Sequence, residues 1–183
     1  MSRSRLSINK LKKLNYNGLI FKNVKMSEYC TLKCGGEVKI LLVINTLENF
    51  LHVMKYLKKI NVKFFILGAG SNLLVSDNGF DGVVIKLGGD FARIEYCENC
   101  VVECGAGVTL AKLISYAKDL GLSGVEDGIG IPATIGGAVF MNASAYNFEM
   151  SKIVKYVVAY KDEKITYFDN FVLTFQTLLF KQQ

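Results

Sequence analysis

The chain has 183 residues, 51% of them hydrophobic and 21% charged, a balance that excludes a disordered or fibrous polypeptide and allows one domain or two small lobes around a shared ligand. Its net charge of +6 is concentrated at the start: residues 1–27 carry seven Lys or Arg and no acid, so the body is essentially neutral and no nucleic-acid partner is expected. No signal-peptide pattern opens the chain and no apolar run reaches the ~18 residues needed to span a bilayer, so the expectation is a cytoplasmic protein with no membrane partner.

In chain order, the basic start has the Arg- and Ser-rich composition of a transit peptide, or is a solvated amphipathic segment with Leu6, Leu11 and Leu14 turned inward. An apolar strand is expected over residues 38–44. A helix over residues 46–59 follows, capped by Thr46, and then a strand in VKFFIL, so that a β–α–β unit feeds directly into the loop Gly68, Ala69, Gly70, Ser71, Asn72. The next residues alternate short β runs with turn signals at Asp77, Asn78, Gly79 and at Asp81, Gly82. Residues 91–107 read as a hairpin turning at Glu98 and Asn99. Thr109 then caps a helix over residues 110–120, which Gly121 closes. Pro132, the single proline, is expected in the first turn of a short helix containing Gly136 and Gly137. Two further strands, IVKYVVAY and KITYF, precede the terminal LTFQTLLFKQQ. The division expected is a basic segment over residues 1–27, one lobe over 28–86 and a second over 87–183.

The chemistry-bearing side chains are few. Five cysteines, Cys30, Cys34, Cys97, Cys100 and Cys104, form an odd set without a secretory signal, which favours structural thiols. Three of them are closely spaced but lack a visible fourth ligand, and the single histidine, His52, falls off the apolar face of its helix. No metal site is expected. The glycine loops carry more information. Residues 68–72 fit neither the Rossmann nor the P-loop spacing, yet their successive amides, with Ser71 and Asn72, can form a concave donor nest for an anion. A second loop, residues 128–146, combines four glycines and Pro132 with no charge, and a helix starting there would offer further N–H groups. Either loop alone marks no more than a tight turn. Together they favour an extended ligand with a pyrophosphate at its middle, and a flavin dinucleotide fits.

The segments GAGSNLLVSDNGFDGVVI, GLSGVE and GIPATIGGAVFMNASAYNFE resemble those of the UDP-N-acetylenolpyruvoylglucosamine reductase (MurB) family of bacterial peptidoglycan synthesis, over residues 31–181. The resemblance implies an α+β, two-lobed FAD-binding fold of the vanillyl-alcohol oxidase/MurB type, each lobe a small sheet with packed helices. It implies FAD between the lobes, NADPH as electron donor and UDP-N-acetylglucosamine enolpyruvate as substrate. Gly68, Gly70, Ser71, Asn72 and Leu73 match the family's pyrophosphate loop. Ile131, Pro132, Gly136, Gly137, Ala138 and Asn142 match its flavin-binding run, followed by the motif containing Ala145 and Tyr146.

The chain also departs from the family pattern. Ala133, Ser144 and Asn147 stand where the family usually has glycine, a substitution that strains the backbone wherever positive φ is required. In residues 173–181, Gln176 takes the place of the family's catalytic arginine, Phe175 that of a tyrosine and Leu178 that of a serine. The family's serine proton donor and its glutamate belong to a third, substrate-binding domain expected to lie beyond this sequence. The reading is therefore the FAD-binding portion of such a reductase, not competent alone. The alternatives are a non-catalytic flavin-binding remnant, or one half of a split enzyme whose second polypeptide supplies the missing domain.

Overall fold

The computed structural model describes Tyr16 and residues 18–169. The leucines of the basic start and the whole of residues 173–181, Gln176 included, lie outside the described residues.

Four strands form one mixed sheet: β1 (Leu19–Lys25), β2 (Glu37–Ile44), β3 (Phe64–Leu67) and β4 (Phe80–Leu87), in the order β1-β2-β4-β3. β1 runs antiparallel to β2, while β2 and β3 both run parallel to β4. The expected β–α–β unit is present, but β4 lies between its two strands. β1 was not legible in the basic start, because Leu-Ile-Phe-Lys-Asn-Val-Lys does not alternate and most of the strand is exposed. β2 and β4 are buried on both faces and read as continuous apolar runs, as strands flanked by a parallel neighbour do.

Helix α1 (Leu47–Lys59) covers one face of the sheet. Thr46 caps it by accepting the Asn49 N–H at 3.3 Å, and Asn61, in the left-handed region at φ 51, ends it with the Val62 N–H bonded back to the Leu57 carbonyl at 3.1 Å. Phe50, Val53, Met54 and Leu57 pack there on Ile40, Leu42, Ile44, Val83 and Ile85. His52 is exposed, as expected. Met26, Cys30, Val38, Leu41, Leu67, Val75 and Val84 form a core of their own. Val38 belongs to this set and Ile40 to the other, although both are even-numbered. The register of β2 on β4 shifts between them, where the single residue Lys39 stands against Asp81 and Gly82, and β2 changes the face it presents across this irregularity.

From residue 88 the chain builds a second layer: the hairpin β5 (Ile94–Tyr96) and β6 (Val102–Cys104), helices α2 (Leu110–Asp119) and α3 (Ile135–Met141), the two-residue strands β7 (Ser144–Ala145) and β8 (Phe148–Glu149), and the single turn α4 (Met150–Ile153). Its core is Val108, Leu110, Leu113, Ile135, Ala138, Phe148 and Met150. Gly121, at φ 69, closes α2 as expected, with the Gly121 and Leu122 N–H groups returning to the Lys118 and Ala117 carbonyls at 2.9 and 2.8 Å.

The last hairpin, β9 (Tyr156–Lys161) and β10 (Lys164–Asp169), folds back onto the first layer. Tyr160 meets Phe50 edge-on at 5.4 Å, and Glu163 pairs with Lys58 of α1. Its turn residues Asp162 and Glu163 both have positive φ, at 48° and 65°, a conformation that two-residue hairpins normally give to Asn-Gly. Replacing the pair with Asn-Gly should remove more backbone strain than the exposed Lys58–Glu163 pair contributes, raising stability by ~1 kcal/mol. Thermal unfolding at moderate salt checks this, and a lower midpoint would show that the ion pair outweighs the strain.

Candidate functional site: two loops that meet at Thr134

Residues 68–72 leave the end of β3 and turn across the top of the sheet. Gly70 sits at φ 73, its carbonyl accepts the Thr31 N–H at 3.0 Å, and a Cβ placed on it would fall 2.0 Å from the Tyr29 carbonyl oxygen. Only glycine allows that approach. The supporting turn is itself immobilised, with Met26 and Cys30 at 0% and 2% exposure. Burial, and secondarily the neighbouring Cys34, pushes the Cys30 thiol above its ordinary range, so it stays a protonated packing group. Among the described residues, none of the amides from Ala69 to Asn72 donates to a backbone carbonyl. Ser71 and Leu73 are half-buried and Asn72 is exposed, so the loop lies at the surface. Successive amides without backbone partners leave the loop able to act as the kind of donor nest that binds an anion.

The opposite wall differs from expectation. Pro132 lies outside the helix, at the centre of a tight turn in which the Ala133 N–H returns to the Ile131 carbonyl at 2.9 Å. Thr134 is the cap of α3, accepting the Gly137 N–H at 3.3 Å. The helix-start amides expected to face an anion are engaged internally. Ile135 N–H donates to Val108 at 2.7 Å and Gly136 N–H to Ala106 at 2.9 Å, as the chain pairs alongside residues 106–110. Of the two expected donor loops, the first keeps a continuous run of amides without backbone partners, whereas in the second the amides of Ile135, Gly136 and Gly137 at the helix start are all engaged.

What the second loop supplies is space. A Cβ on Gly136 would come 2.8 Å from that of Ala106, so this glycine seats α3 on the preceding loop. A Cβ on Gly137 would meet only Thr134 Oγ1, at 3.3 Å. The same oxygen lies 2.6 Å from the Cβ that Gly68 lacks. The two glycine runs, over sixty positions apart in the sequence, therefore converge on one hydroxyl, with the amide nest on one side and an open helix face on the other. Such a cradle of missing side chains and unengaged N–H groups fits a pyrophosphate with a flat ring system beside it.

The remaining expected residues lie along α3 and on either side of it. Ile131 is half-buried and Ala138, 1% exposed, belongs to the core. Asn142, Ala145 and Tyr146 lie at the far end of the helix, roughly 10 Å from its start. Asn142 is buried at 2% exposure in the left-handed region, and Tyr146 is fully exposed at φ 55. Ala133, Ser144 and Asn147 do not adopt positive φ, so the loss of the family glycines strains none of them. Sequence reasoning missed Thr134, whose signal was a Thr three residues before the second Gly of the pair. It also missed the 105–107 loop, whose Gly-Ala-Gly repeats the motif at 68–70.

The charged groups around this region set a pH limit. Hydrogen bonds from Ser151 and Asn142 hold the Glu149 carboxyl below its usual range, and backbone N–H groups, the Gly124 amide at 2.6 Å among them, do the same for Glu126. A carboxyl depressed in the folded state contributes stability above its unfolded pKa of ~4.3 and loses it as the pH falls through the lower folded value. Acid titration followed by circular dichroism should show stability level near neutrality and falling below about pH 4.3. In Glu149→Gln that decline should be shallower.

A family model described as an FAD binding domain matches residues 38–162. UDP-N-acetylenolpyruvoylglucosamine reductase of Bacillus subtilis is 38% identical over 154 residues, covering 84% of this chain and 50% of the relative. That of Syntrophomonas wolfei is 41% identical over 137 residues, 75% of this chain and 46% of the relative. The chain thus spans about half the length of the curated relatives it matches. Among solved structures, MurB of Thermus caldophilus superposes with a TM-score of 0.72 at 34% identity, over 83% of this chain and 53% of that one. Cholesterol oxidase of Brevibacterium sterolicum shares the fold alone, with a TM-score of 0.57 at 13% identity, over 82% of this chain and 32% of that one. With an α+β, two-lobed scaffold in which two glycine loops meet at Thr134, the chain belongs to the FAD-binding domain family, on the branch formed by the UDP-N-acetylenolpyruvoylglucosamine reductases.

Proposed function

We propose that this chain binds FAD between the loop at residues 68–73 and the wall formed by Ile131, Pro132, Gly136, Gly137, Ala138, Asn142, Ala145 and Tyr146, with residues 28–86 and 87–183 as its two lobes. The observation that carries the reading is the convergence of Gly68 and Gly137 on Thr134 Oγ1 beside a run of unengaged amides. The amides from Ala69 to Asn72 hold the pyrophosphate by hydrogen bonds that need no lysine, and Ser71 and Asn72 add side-chain donors. The open face at Gly137 admits the ring system. When bound, FAD supplies the hydride chemistry by which an NADPH-dependent reductase saturates the enolpyruvyl double bond of a UDP-sugar.

Within that activity we assign this chain the binding and orientation of the cofactor, in the cytoplasm, as part of peptidoglycan synthesis. Gln176, at the family's arginine position, can donate a hydrogen bond but supplies no fixed charge for an enolate-like intermediate. Turnover is therefore proposed to require the half of the relatives' length that this chain does not match, on the same or a second polypeptide. The competing reading, a flavin-binding remnant without turnover, is favoured by Gln176 itself.

Purified protein should take up FAD and show a flavin absorption band, with little NADPH oxidation dependent on the enolpyruvyl sugar. A colourless protein that ignores added FAD would sink the binding reading. Restoration of turnover by the remaining half of a relative separates the split-enzyme reading from the remnant.

A further inference from the structure

At the far end of α3 a small polar network holds the wall of the cleft together. Asn142 closes the helix in the left-handed conformation, its N–H returning to the Val139 carbonyl at 3.2 Å and the Ala143 N–H to Ala138 at 2.8 Å. Its side chain, which the family motif would assign to the flavin, is turned to the protein. Asn142 Nδ2 donates to Glu149 Oε1 at 3.0 Å, and Asn142 Oδ1 accepts the Ser151 N–H at 2.9 Å. Ser151 Oγ donates to the same Glu149 oxygen at 2.6 Å, while Lys152 Nζ approaches Oε2 at 3.5 Å. One carboxylate is thus the shared acceptor for the helix end and the first turn of α4.

Glu149 is held by its backbone as well. It pairs with Ser144, and Phe148 pairs with Ala145, across a two-residue turn of Tyr146 and Asn147. Tyr146, at φ 55 and 101% exposure, is the outlier: a bulky residue in a conformation that turns reserve for Gly, Asn or Asp, with no packing to compensate. Such a conformation persists only where its flanks over-determine it. Here they are the β7–β8 pairs and the Asn142–Glu149–Ser151 network, which meet at Glu149.

We infer that Glu149 is a positioning residue: acting through Asn142, its carboxylate fixes the end of α3 and the Tyr146 turn in the orientation in which they receive the cofactor. This rests on the FAD-binding reading, and on no contact between Glu149 and FAD. Asn142 is then a strut of the wall, and Tyr146 the residue it presents.

The chain contains no tryptophan, so Tyr146→Trp introduces a single tryptophan at the turn, excited apart from the tyrosines. Because Tyr146 belongs to the proposed wall, every FAD affinity is compared with that of the Tyr146→Trp parent. In that background Glu149→Ala should lower the tryptophan anisotropy and weaken FAD binding about tenfold, the loss of roughly one hydrogen-bonded network contact. Quenching of the tryptophan by FAD should diminish in parallel. Glu149→Gln, which keeps an acceptor oxygen, should recover most of the affinity. It also serves if Glu149→Ala folds poorly. Asn142→Ala combined with Glu149→Ala should be far less than additive. FAD affinity and anisotropy unchanged in Glu149→Ala and Glu149→Gln, with only the melting temperature lowered, would reduce Glu149 to a structural residue and overturn the inference alone. Failure of the wild-type chain to bind FAD would overturn the binding reading, and this inference with it.

Discussion

Gly70→Ala is expected to destabilise the protein by about 3 kcal/mol and to abolish FAD uptake, the left-handed backbone and the overpacking each contributing. At φ 73 an alanine is already strained, and its Cβ would stand 2.0 Å from the Tyr29 carbonyl oxygen and 3.3 Å from the Cys30 Cα. Those are main-chain atoms. They belong to a turn tied to Gly70 by the Thr31 N–H and anchored by the buried Met26 and Cys30, so nothing can swing aside. Gly121→Ala provides the comparison. It too has positive φ, at 69°, but a Cβ there meets nothing within 4 Å, so it should lose only ~1 kcal/mol and keep FAD. Equal melting temperatures for the two variants would show that the Tyr29 contact is not what makes Gly70 necessary.

Gly137→Leu should do the reverse, separating binding from folding. A Cβ at this helical position meets only Thr134 Oγ1, at 3.3 Å, which a slight shift of the threonine relieves. Leucine is the better helix former by somewhat under 1 kcal/mol, so stability should hold or rise. If the open helix face is where the flavin lies, its affinity should nevertheless fall on the order of a hundredfold. Thermal unfolding and FAD titration of the same preparation read both effects. Undiminished FAD uptake by Gly137→Leu would place the rings elsewhere, and an unfolded variant would show that the face is not open.

The elements were largely legible because their signals are local. Thr46 and Thr109 announced their helices through a hydroxyl that reaches three residues ahead, and Gly121 announced a helix end through its own backbone freedom. The strands β2 and β3 showed as apolar runs between turn residues. β4 (Phe80–Leu87) showed only from Val83 onward, since the turn expected at Asp81 and Gly82 lies inside it, where its register on β2 shifts. β1 did not show, since it is an edge strand whose lysines and exposed apolar side chains look like a solvated segment until β2 lies beside them. The β7–β8 hairpin was hidden for a related reason: its turn residues are Tyr146 and Asn147, and only the surrounding network makes a tyrosine acceptable there.

The candidate site divides in the same way. From the sequence alone came the two glycine loops, the choice of amides over a lysine for an anion, and the resemblance that named the flavin. Tertiary structure alone decided which amides remain available. The sequence cannot say that residues 106–110 pair alongside residues 133–136, and that pairing takes the helix-start N–H groups away from any ligand. It also decided that Gly68 and Gly137 share Thr134, and that Asn142 turns inward to Glu149. Capping and turn formation depend on residues within one helical turn of each other, so a sequence displays them directly. The engagement of a donor depends on what the fold brings to it from dozens of residues away.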